Sequence, residues 1–267
     1  MALFVNSGGW KNIRNIFVNS TGVWRTIQNA WINQNGNWRK FYAREVNLTI
    51  GTANTNTLNA NLRSFYVSST GDNSNGPVVV NFTVAGNIGS RSTGEYALDT
   101  GTLPSGSVIK LILPPISSNV SSPANGMIAG RGGNGVAGGL PCCDCNGCLS
   151  CPVGGPAIVL NYHLHIVNSG IIGAGGQGGY AIAMNRQRNH QYGSGGGAGI
   201  NVGLKVQRAY GNPTDGTYRY GGQGSFPPAH LGNASSGCSN PYQASWVVKN
   251  GWNLTTEGSG SFFGISR

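Results

Sequence analysis

The side chains with the clearest capacity for chemistry are six cysteines, five of which fall within residues 142–151. They are Cys142, Cys143, Cys145, Cys148, Cys151 and Cys238, and four of them recur at every third residue. An even number of cysteines favours disulfides, whereas four closely spaced thiolates also suit a structural zinc ion. Free thiols are a third alternative. The equal spacing departs from the bacterial iron–sulfur pattern, in which the last spacing is longer.

The three-residue period limits which disulfides can form. On an extended threefold helix, neighbouring members of the series would lie about 9 Å apart. That separation exceeds the roughly 7 Å between Cα atoms that a disulfide tolerates. A disulfide-bonded cluster therefore requires the segment to fold back on itself or to bond with Cys238.

Two histidines, His163 and His165, lie in an alternating stretch, Leu160-Asn-Tyr-His-Leu-His-Ile166. On a strand both imidazoles point to the same face. In a homotrimer, three such pairs around the axis would suit a transition metal. The alternative is a pair of half-exposed strand histidines without a ligand, and no metal site is assigned to them.

Catalytic residues are scarce. The whole chain has seven Asp and Glu residues, and those of the glycine-rich part are Asp144, Asp215 and Glu257. Cleavage of a saccharide normally requires two carboxylates at a set separation. No glycine run is followed by Lys-Ser or Lys-Thr, so no phosphate-binding loop is indicated. We therefore expect a protein that is not an enzyme and has no cofactor.

The formal net charge is +10, from 17 Lys and Arg against seven acids. A basic protein attracts anionic partners, although the charge also favours solubility. The basic residues are spread along the chain rather than gathered in one stripe, which argues against nucleic-acid binding. No apolar run approaches the roughly 20 residues of a membrane-spanning helix, so no membrane insertion is expected.

The first 44 residues contain an internal repeat. Trp10, Trp24 and Trp38 recur with a period of 14, and each is preceded by an Asn- and Gly-containing turn between apolar residues. This pattern predicts three β-hairpins. A single hairpin of this size cannot bury its own Trp, so the three units must pack together or on a partner.

The rest of the chain divides by composition near residue 125. Residues 45–125 predict ordinary β-structure, with strands expected at 46–50, 65–67, 78–84 and 108–113, the last ended by Pro114 and Pro115. Residues 126–267 hold 33 of the 45 glycines. These glycines permit close backbone approach, and extended segments with three residues per turn are able to stack side by side. The predicted fold class is all-β with irregular structure.

The glycine motifs resemble the tip adhesins of the long tail fibres of T-even-type bacteriophages. The motifs that carry the resemblance are Gly130-Arg-Gly-Gly-Asn-Gly135, Ile166-Val-Asn-Ser-Gly-Ile-Ile-Gly-Ala-Gly-Gly-Gln-Gly-Gly179 and Gly193-Ser-Gly-Gly-Gly-Ala-Gly199. The N-terminal Trp repeat also fits, because these adhesins carry a small Trp-containing attachment module. The cysteine run is a departure from the family pattern.

This resemblance implies a monomeric cap at the distal tip of a trimeric tail fibre on the virion. It implies a layered polyglycine II sandwich in residues 126–267, whose loops bind an outer-membrane protein or a surface saccharide of the host. Residues 1–44 would attach to the trimeric tail-fibre protein. The expected attachment residues are Trp10, Trp24, Trp38, Arg14, Arg25 and Arg39.

The segments between the glycine runs are rich in Tyr, Arg, His and Met. Tyr, Arg and Met are enriched at protein interfaces, and rigid aromatics beside Ser, Gly and Asn are typical of antibody loops. Alternatively, these aromatics cover the glycine layers as a core. The predicted receptor contacts are Tyr180, Met184, Arg186, Arg188, His190, Tyr192, Tyr210, Tyr218, Arg219, Tyr220, Phe226, His230 and Tyr242.

Three other functions remain open from the sequence. A structural subunit of a trimeric fibre would need no receptor recognition of its own. A nucleic-acid-binding protein would use the positive charge. An ice-binding protein would need a flat, regular and uncharged face, which the Arg-rich segments disfavour.

Overall fold

The computed structural model describes most of the chain after residue 45 and parts of the chain before it. The residues described are 4–6, 10–12, 17–27, 29–34, 36–43, 45–73, 76–116, 125–134, 153–178, 183–184, 190–191, 198–200 and 244–267. Within them the structure is mostly β-strand with one short helix, as the composition predicted. No described helix is long and apolar enough to cross a membrane.

The elements follow one another as short strands. In chain order they are β1 (Phe4–Asn6), β2 (Trp10–Asn12), β3 (Phe17–Ser20), β4 (Val23–Thr26), β5 (Asn29–Gln34), β6 (Asn37–Ala43), β7 (Glu45–Ile50), β8 (Asn56–Leu58), β9 (Ala60–Asn61), α1 (Leu62–Thr70), β10 (Val79–Val84), β11 (Asn87–Gly89), β12 (Leu98–Asp99), β13 (Val108–Leu113), β14 (Met127–Ala129), β15 (Ile158–Val159), β16 (Leu164–Asn168), β17 (Ile171–Gly173), β18 (Ala183–Met184), β19 (His190–Gln191), β20 (Ser245–Val248), β21 (Leu254–Glu257), β22 (Ser261–Phe263) and β23 (Ile265–Ser266).

Fifteen of these strands form a three-sided parallel solenoid. Sheet A has the order β7-β10-β13-β16-β21, sheet B the order β8-β11-β14-β17-β22, and sheet C the order β9-β12-β15-β20-β23. One passage of the chain through sheets A, B and C forms one rung of the solenoid. The five rungs begin with β7, β10, β13, β16 and β21. Every pairing between rungs is parallel.

The solenoid core is built from alternating side chains of the long strands. In β10 and β13 every second residue is buried, as expected for a period of two. The parallel register stacks Phe82 on Leu111 and Leu111 on Ile166, and all three are almost fully buried. Burial of each such side chain contributes about 1.5–3 kcal/mol. The strands predicted at 46–50, 78–84 and 108–113 are confirmed as β7, β10 and β13.

The strand predicted at 65–67 is wrong, because these residues belong to helix α1. The Asn61 side chain caps the helix by accepting a hydrogen bond from the Ser64 N–H at 2.9 Å. Gly71 ends it in the left-handed conformation, with φ of 71°. Leu62 and Tyr66, four residues apart on one helical face, are buried in the solenoid core. The capping residue and this spacing outweigh the strand preference of Phe-Tyr-Val.

The predicted boundary at residue 125 falls inside rung 3, between β13 and β14. All three sheets take strands from both sides of it. The parallel strands on the two sides of residue 125 therefore belong to one solenoid. The predicted division of function between residues 45–125 and residues 126–267 stays a prediction.

The strands before residue 45 form three separate antiparallel pairs, β1 with β2, β3 with β4, and β5 with β6. A further antiparallel pair, β18 with β19, lies within rung 4 in chain order, between its sheet B strand β17 and its sheet C strand β20.

Candidate functional site

The chain crosses from sheet B to sheet C by links of very different length, and we call this edge of the solenoid the B–C corner. Rungs 1 and 5 cross it with single residues, Asn59 and Gly264. Rung 2 uses residues 90–97. Rung 3 uses residues 130–157 and rung 4 uses residues 174–244, and we call these two segments the long insertions. Most of the glycine-rich sequence is thus inserted at one corner of two adjacent rungs.

Hydrogen bonds with a period of three join the described bases of the long insertions. The Gly130 N–H donates to the Gly173 carbonyl at 3.0 Å, and the Gly133 N–H donates to the Gly176 carbonyl at 2.9 Å. Donors and acceptors are both three residues apart. A period of three is that of a polyproline II-type helix, whereas a β-ladder has a period of two.

The same segments are also bonded to further neighbours. The Gly155 N–H donates to the Arg131 carbonyl at 2.7 Å, and the Gly175 N–H donates to the Gly155 carbonyl at 2.8 Å. A fourth segment joins through the Gly176 N–H, which donates to the Ala198 carbonyl at 2.8 Å. Segments 130–134, 153–157 and 174–178 are therefore bonded pairwise, each to the two others.

The close approach of these backbones requires glycine. A Cβ atom added to Gly130 would overlap the Gly155 carbonyl, and one added to Gly175 would overlap the Arg131 carbonyl. A backbone carbonyl held by its own hydrogen bonds has no room to move aside. The glycine positions are therefore set by packing between chain segments and not by a need for flexibility.

Residues 198–200 of the rung-4 insertion pack on the outer face of sheet B. Met127 and Ile171 point away from the solenoid core, yet both are buried, because they pack with Ala198 and Ile200 in a second apolar cluster. Ile200 lies directly against Gly89 of β11. This cluster fixes the base of the insertion on the solenoid.

Arg131 braces the start of the rung-3 insertion. Its backbone N–H donates to the Ser90 hydroxyl at 2.7 Å, and its Nη1 donates to the Arg91 carbonyl at 2.9 Å. The link of rung 2 is thereby tied to the insertion of rung 3. Sequence reasoning missed this role, because the contact depends on rungs 2 and 3 being neighbours.

All of the predicted receptor contacts lie in sequence between β17 and β20, within the rung-4 insertion. The structure describes the backbone of two of them, Met184 and His190, which face each other across the β18–β19 pair. The other eleven, Tyr180, Arg186, Arg188, Tyr192, Tyr210, Tyr218, Arg219, Tyr220, Phe226, His230 and Tyr242, lie outside the described residues.

The six cysteines also lie outside the described residues. Five of them belong in sequence to the rung-3 insertion, and Cys238 belongs to the rung-4 insertion. The choice among disulfides, zinc and free thiols stays open. Among the described residues no group of three or more His, Cys, Asp and Glu side chains is arranged to hold a metal ion.

His163 and His165 lie on the same outer face at the start of sheet A, as the alternation predicted. His165 Nδ1 lies 2.7 Å from the Thr255 hydroxyl, and its Nε2 lies 3.2 Å from Glu257. Lys110 Nζ lies 3.5 Å from the same carboxylate. The hydrogen bond from His165, and then the nearby charges of His165 and Lys110, lower the pKa of Glu257 below its ordinary value.

The N-terminal antiparallel pairs place the repeat residues in equivalent positions. Each Trp faces an Asn across its ladder, in the pairs Asn6–Trp10, Asn19–Trp24 and Asn33–Trp38. The following cation faces an apolar residue each time, in the pairs Val5–Lys11, Val18–Arg25 and Ile32–Arg39. Arg14 lies outside the described residues.

The second of these pairs exposes apolar side chains. Trp24 is 69% exposed, and Val18 and Val23 are about half exposed. The loop is a two-residue turn in which Thr21 and Gly22 both have positive φ, as a type I′ turn requires. A tight hairpin that leaves its Trp in solvent is typical of a contact surface.

Comparison with known proteins gives one family and one fold. A family model described as the phage tail fibre adhesin Gp38 matches residues 45–266. A chain in the crystal structure of the gp37-gp38 adhesin tip complex of the bacteriophage S16 long tail fibre has a TM-score of 0.56 and 20% identity, covering 84% of this chain and 82% of that chain. The TM-score shows a shared fold. No curated protein matches the sequence significantly.

Proposed function

This chain belongs to the phage tail fibre adhesin Gp38 family, whose members are virion proteins of the tail fibre, and on that premise we propose that it binds a host cell-surface receptor through its long insertions. The receptor is an outer-membrane protein or a surface saccharide. The observation that carries the proposal is the concentration of inserted chain at the B–C corner of rungs 3 and 4. Binding residues are commonly carried on loops that a rigid scaffold positions.

The scaffold supports the proposal because it holds both ends of each insertion. Residues 130–134, 153–157 and 174–178 are joined by backbone hydrogen bonds, and residues 198–200 pack on sheet B. Side chains between these fixed points are then free to vary without disturbing the solenoid. We propose a polyglycine II-type sandwich for this region, supported by the period-three bonding and by the glycines that approach neighbouring carbonyls.

We place the receptor contacts in the rung-4 insertion, with Arg186, Arg188 and Tyr192 at their centre. Arginines bind carboxylate and phosphate groups in bidentate fashion. Tyrosines provide rigid contact area at low entropic cost. Neither role requires catalysis, and we propose that the chain acts as an adhesin without enzymatic activity.

Residues 1–44 are proposed to attach the chain to the tail-fibre protein. They lie outside the part matched by the family model and carry six Lys and Arg residues and no Asp or Glu. Three equivalent hairpins suit a threefold partner with one hairpin for each subunit, and the basic charge suits an acidic or polar partner face. The similar fold in the gp37-gp38 complex supports a fibre partner for this chain as well.

Adsorption of phage particles tests the receptor proposal. The triple variant Arg186→Ala, Arg188→Ala, Tyr192→Ala is expected to fold and to assemble, and to lower adsorption to host cells at least about tenfold, which is about 1.4 kcal/mol. The matched control, Lys249→Ala with Arg267→Ala, removes the same positive charge outside the insertions and should adsorb normally. Normal adsorption by correctly assembled triple-variant particles would exclude this segment from the binding site.

A further inference from the structure

A groove of about 300 Å³ crosses the start of sheet A on rungs 3, 4 and 5. It is lined by Ser107, Val108, Ile109, His163, Leu164, His165, Asn253 and Thr255. These residues stand at the corner between sheets C and A, so sheet C separates the groove from the long insertions. Its volume is at the lower end of the range for small-molecule sites, about 300–1,000 Å³.

His163 enters the groove in a fixed orientation. Its Nδ1 accepts a hydrogen bond from the Asn253 N–H at 3.1 Å, so this nitrogen carries no proton and the ring is the Nε2–H tautomer. The ring stands edge-on to Trp252 at 4.9 Å and to Tyr162 at 5.4 Å between centroids. His163 therefore presents a hydrogen-bond donor, Nε2–H, for which no partner is found among the described residues.

Tyr162 lies beneath the groove and positions Ser107, one of its lining residues. Its buried hydroxyl accepts a hydrogen bond from the Ser107 N–H at 3.0 Å and donates to the Ser107 carbonyl at 3.4 Å. The next residue, Val108, is thereby fixed in position at the first residue of β13. Tyr162 also contacts Trp252, with 5.3 Å between ring centroids. The groove is therefore largely pre-formed, which lowers the entropic cost of binding.

The groove combines one apolar surface with uncharged polar groups. The side chain of Val108 is 56% exposed. No other large apolar side chain on the described strands of sheets A, B and C is as exposed. His163, Asn253 and Thr255 supply donors and acceptors around it. The neighbouring charges of Lys110 and Glu257 neutralise each other.

We propose that this groove binds one neutral pyranose unit of a host surface glycan. A pyranose has an apolar C–H face, which would lie on Val108, and a rim of hydroxyls, which would bond to His163 Nε2, Asn253 and the Thr255 hydroxyl. An anionic sugar is disfavoured because Lys110, the cation beside the groove, is already paired with Glu257. The inference rests on the proposed function, which supplies the host glycan, and adds a second contact away from the insertions.

Saturation-transfer NMR on the purified full chain tests the inference directly. The probes are the methyl glycosides of glucose, galactose and mannose, with glucuronate as the anionic comparison. We expect saturable binding of at least one neutral glycoside, with a dissociation constant on the order of millimolar, together with a shift of the His163 ring signals. Absence of binding by all neutral glycosides, or equal binding of glucuronate, would overturn the proposal.

Two matched variants locate the site. Val108→Asp puts a charge on the proposed apolar contact and should lower affinity at least tenfold, whereas Thr49→Asp puts the same charge on an exposed position of rung 1 and should have no effect. Equal affinity in both variants would overturn the assignment. If Val108→Asp is poorly folded by circular dichroism, His163→Gln serves instead. Because free sugars and the isolated chain are used, failure here leaves the test of the insertions on phage particles unaffected.

Discussion

The solenoid and the glycine segments at its B–C corner both hold extended chain side by side, but by different means. In the solenoid, a ladder with a period of two places every second side chain in a common core, as Phe82, Leu111 and Ile166 show. In the glycine segments, bonding with a period of three joins Gly130, Gly133 and their neighbours by backbone alone.

This difference has a functional consequence. A core made of side chains fixes the identity of half the residues in each strand. An array held by backbone hydrogen bonds fixes the glycines and the few side chains buried between its segments, such as Ala174 and Gln177. The proposed receptor contacts lie in chain between the fixed points of the glycine array, where a substitution does not alter the side-chain core of the solenoid.

The largest expected effect is a loss of stability on truncating a side chain of the solenoid core. Leu111→Ala removes a fully buried side chain and should lower the free energy of unfolding by about 2–5 kcal/mol. On the same strand, Val108→Ala truncates an outward residue and should cost no more than about 0.5 kcal/mol. Chemical denaturation measures both, and comparable losses would contradict the assignment of inner and outer faces on β13.

The glycine array should be broken by a single methyl group. Gly175→Ala places a Cβ against the Arg131 carbonyl, and we expect a loss of about 1–3 kcal/mol with increased proteolysis within the long insertions. Gly94→Ala is the control, since an added Cβ there meets nothing within 4 Å. If both variants resist heat and protease equally, close backbone approach does not hold the array together.

A third prediction separates folding from fibre attachment. Trp24→Ala should leave stability unchanged within about 0.5 kcal/mol, because Trp24 is 69% exposed. It should weaken binding to the proposed tail-fibre partner by about 2 kcal/mol, roughly 30-fold, as expected for an interface Trp. Co-purification with the fibre protein measures the effect, with Thr49→Ala as the control. Undiminished co-purification of Trp24→Ala would remove this hairpin from the interface.

The smallest expected effect concerns the exposed carboxylate that joins three rungs of sheet A. Hydrogen bonding to His165 lowers the pKa of Glu257 below its ordinary value of 4.5. Because the folded pKa lies below the unfolded one, the ionised form stabilises the fold above about pH 4.5 and this contribution is lost as the pH falls through the folded value. Thermal unfolding should therefore show a slightly steeper acid loss in the wild type than in Glu257→Gln, and parallel profiles would refute the interaction.

The sequence was sufficient for the long strands and insufficient for their closure into rungs. Residues 78–84 and 108–113 alternate clearly and were predicted. The strands of sheet C, such as Leu98–Asp99 and Ile158–Val159, are two residues long, so no periodicity exists for them to display. Because these short strands cannot be recognised in the sequence, the change of composition near residue 125 is interpreted as a domain boundary. In the structure, the residues on both sides of it belong to the same rung.

The sequence predicted which kinds of residue form the candidate site, but it did not predict where in the fold they lie. The glycine runs at 130–135 and 173–179 indicated close backbone packing, and the described segments show it. That both runs start at the ends of neighbouring strands of one sheet, β14 and β17, follows only from the topology. The groove at His163 was missed because Val108, His163 and Asn253 are far apart in sequence and meet only when three rungs stack.

Hydrogen exchange of the full chain, with and without outer-membrane vesicles from the host, tests the central claim most directly. The account predicts that binding protects backbone amides in the two long insertions, residues 130–157 and 174–244, and leaves the hairpins of residues 1–44 unchanged. Protection confined to those hairpins, or an unchanged exchange pattern in the insertions with vesicles that support phage adsorption, would contradict it.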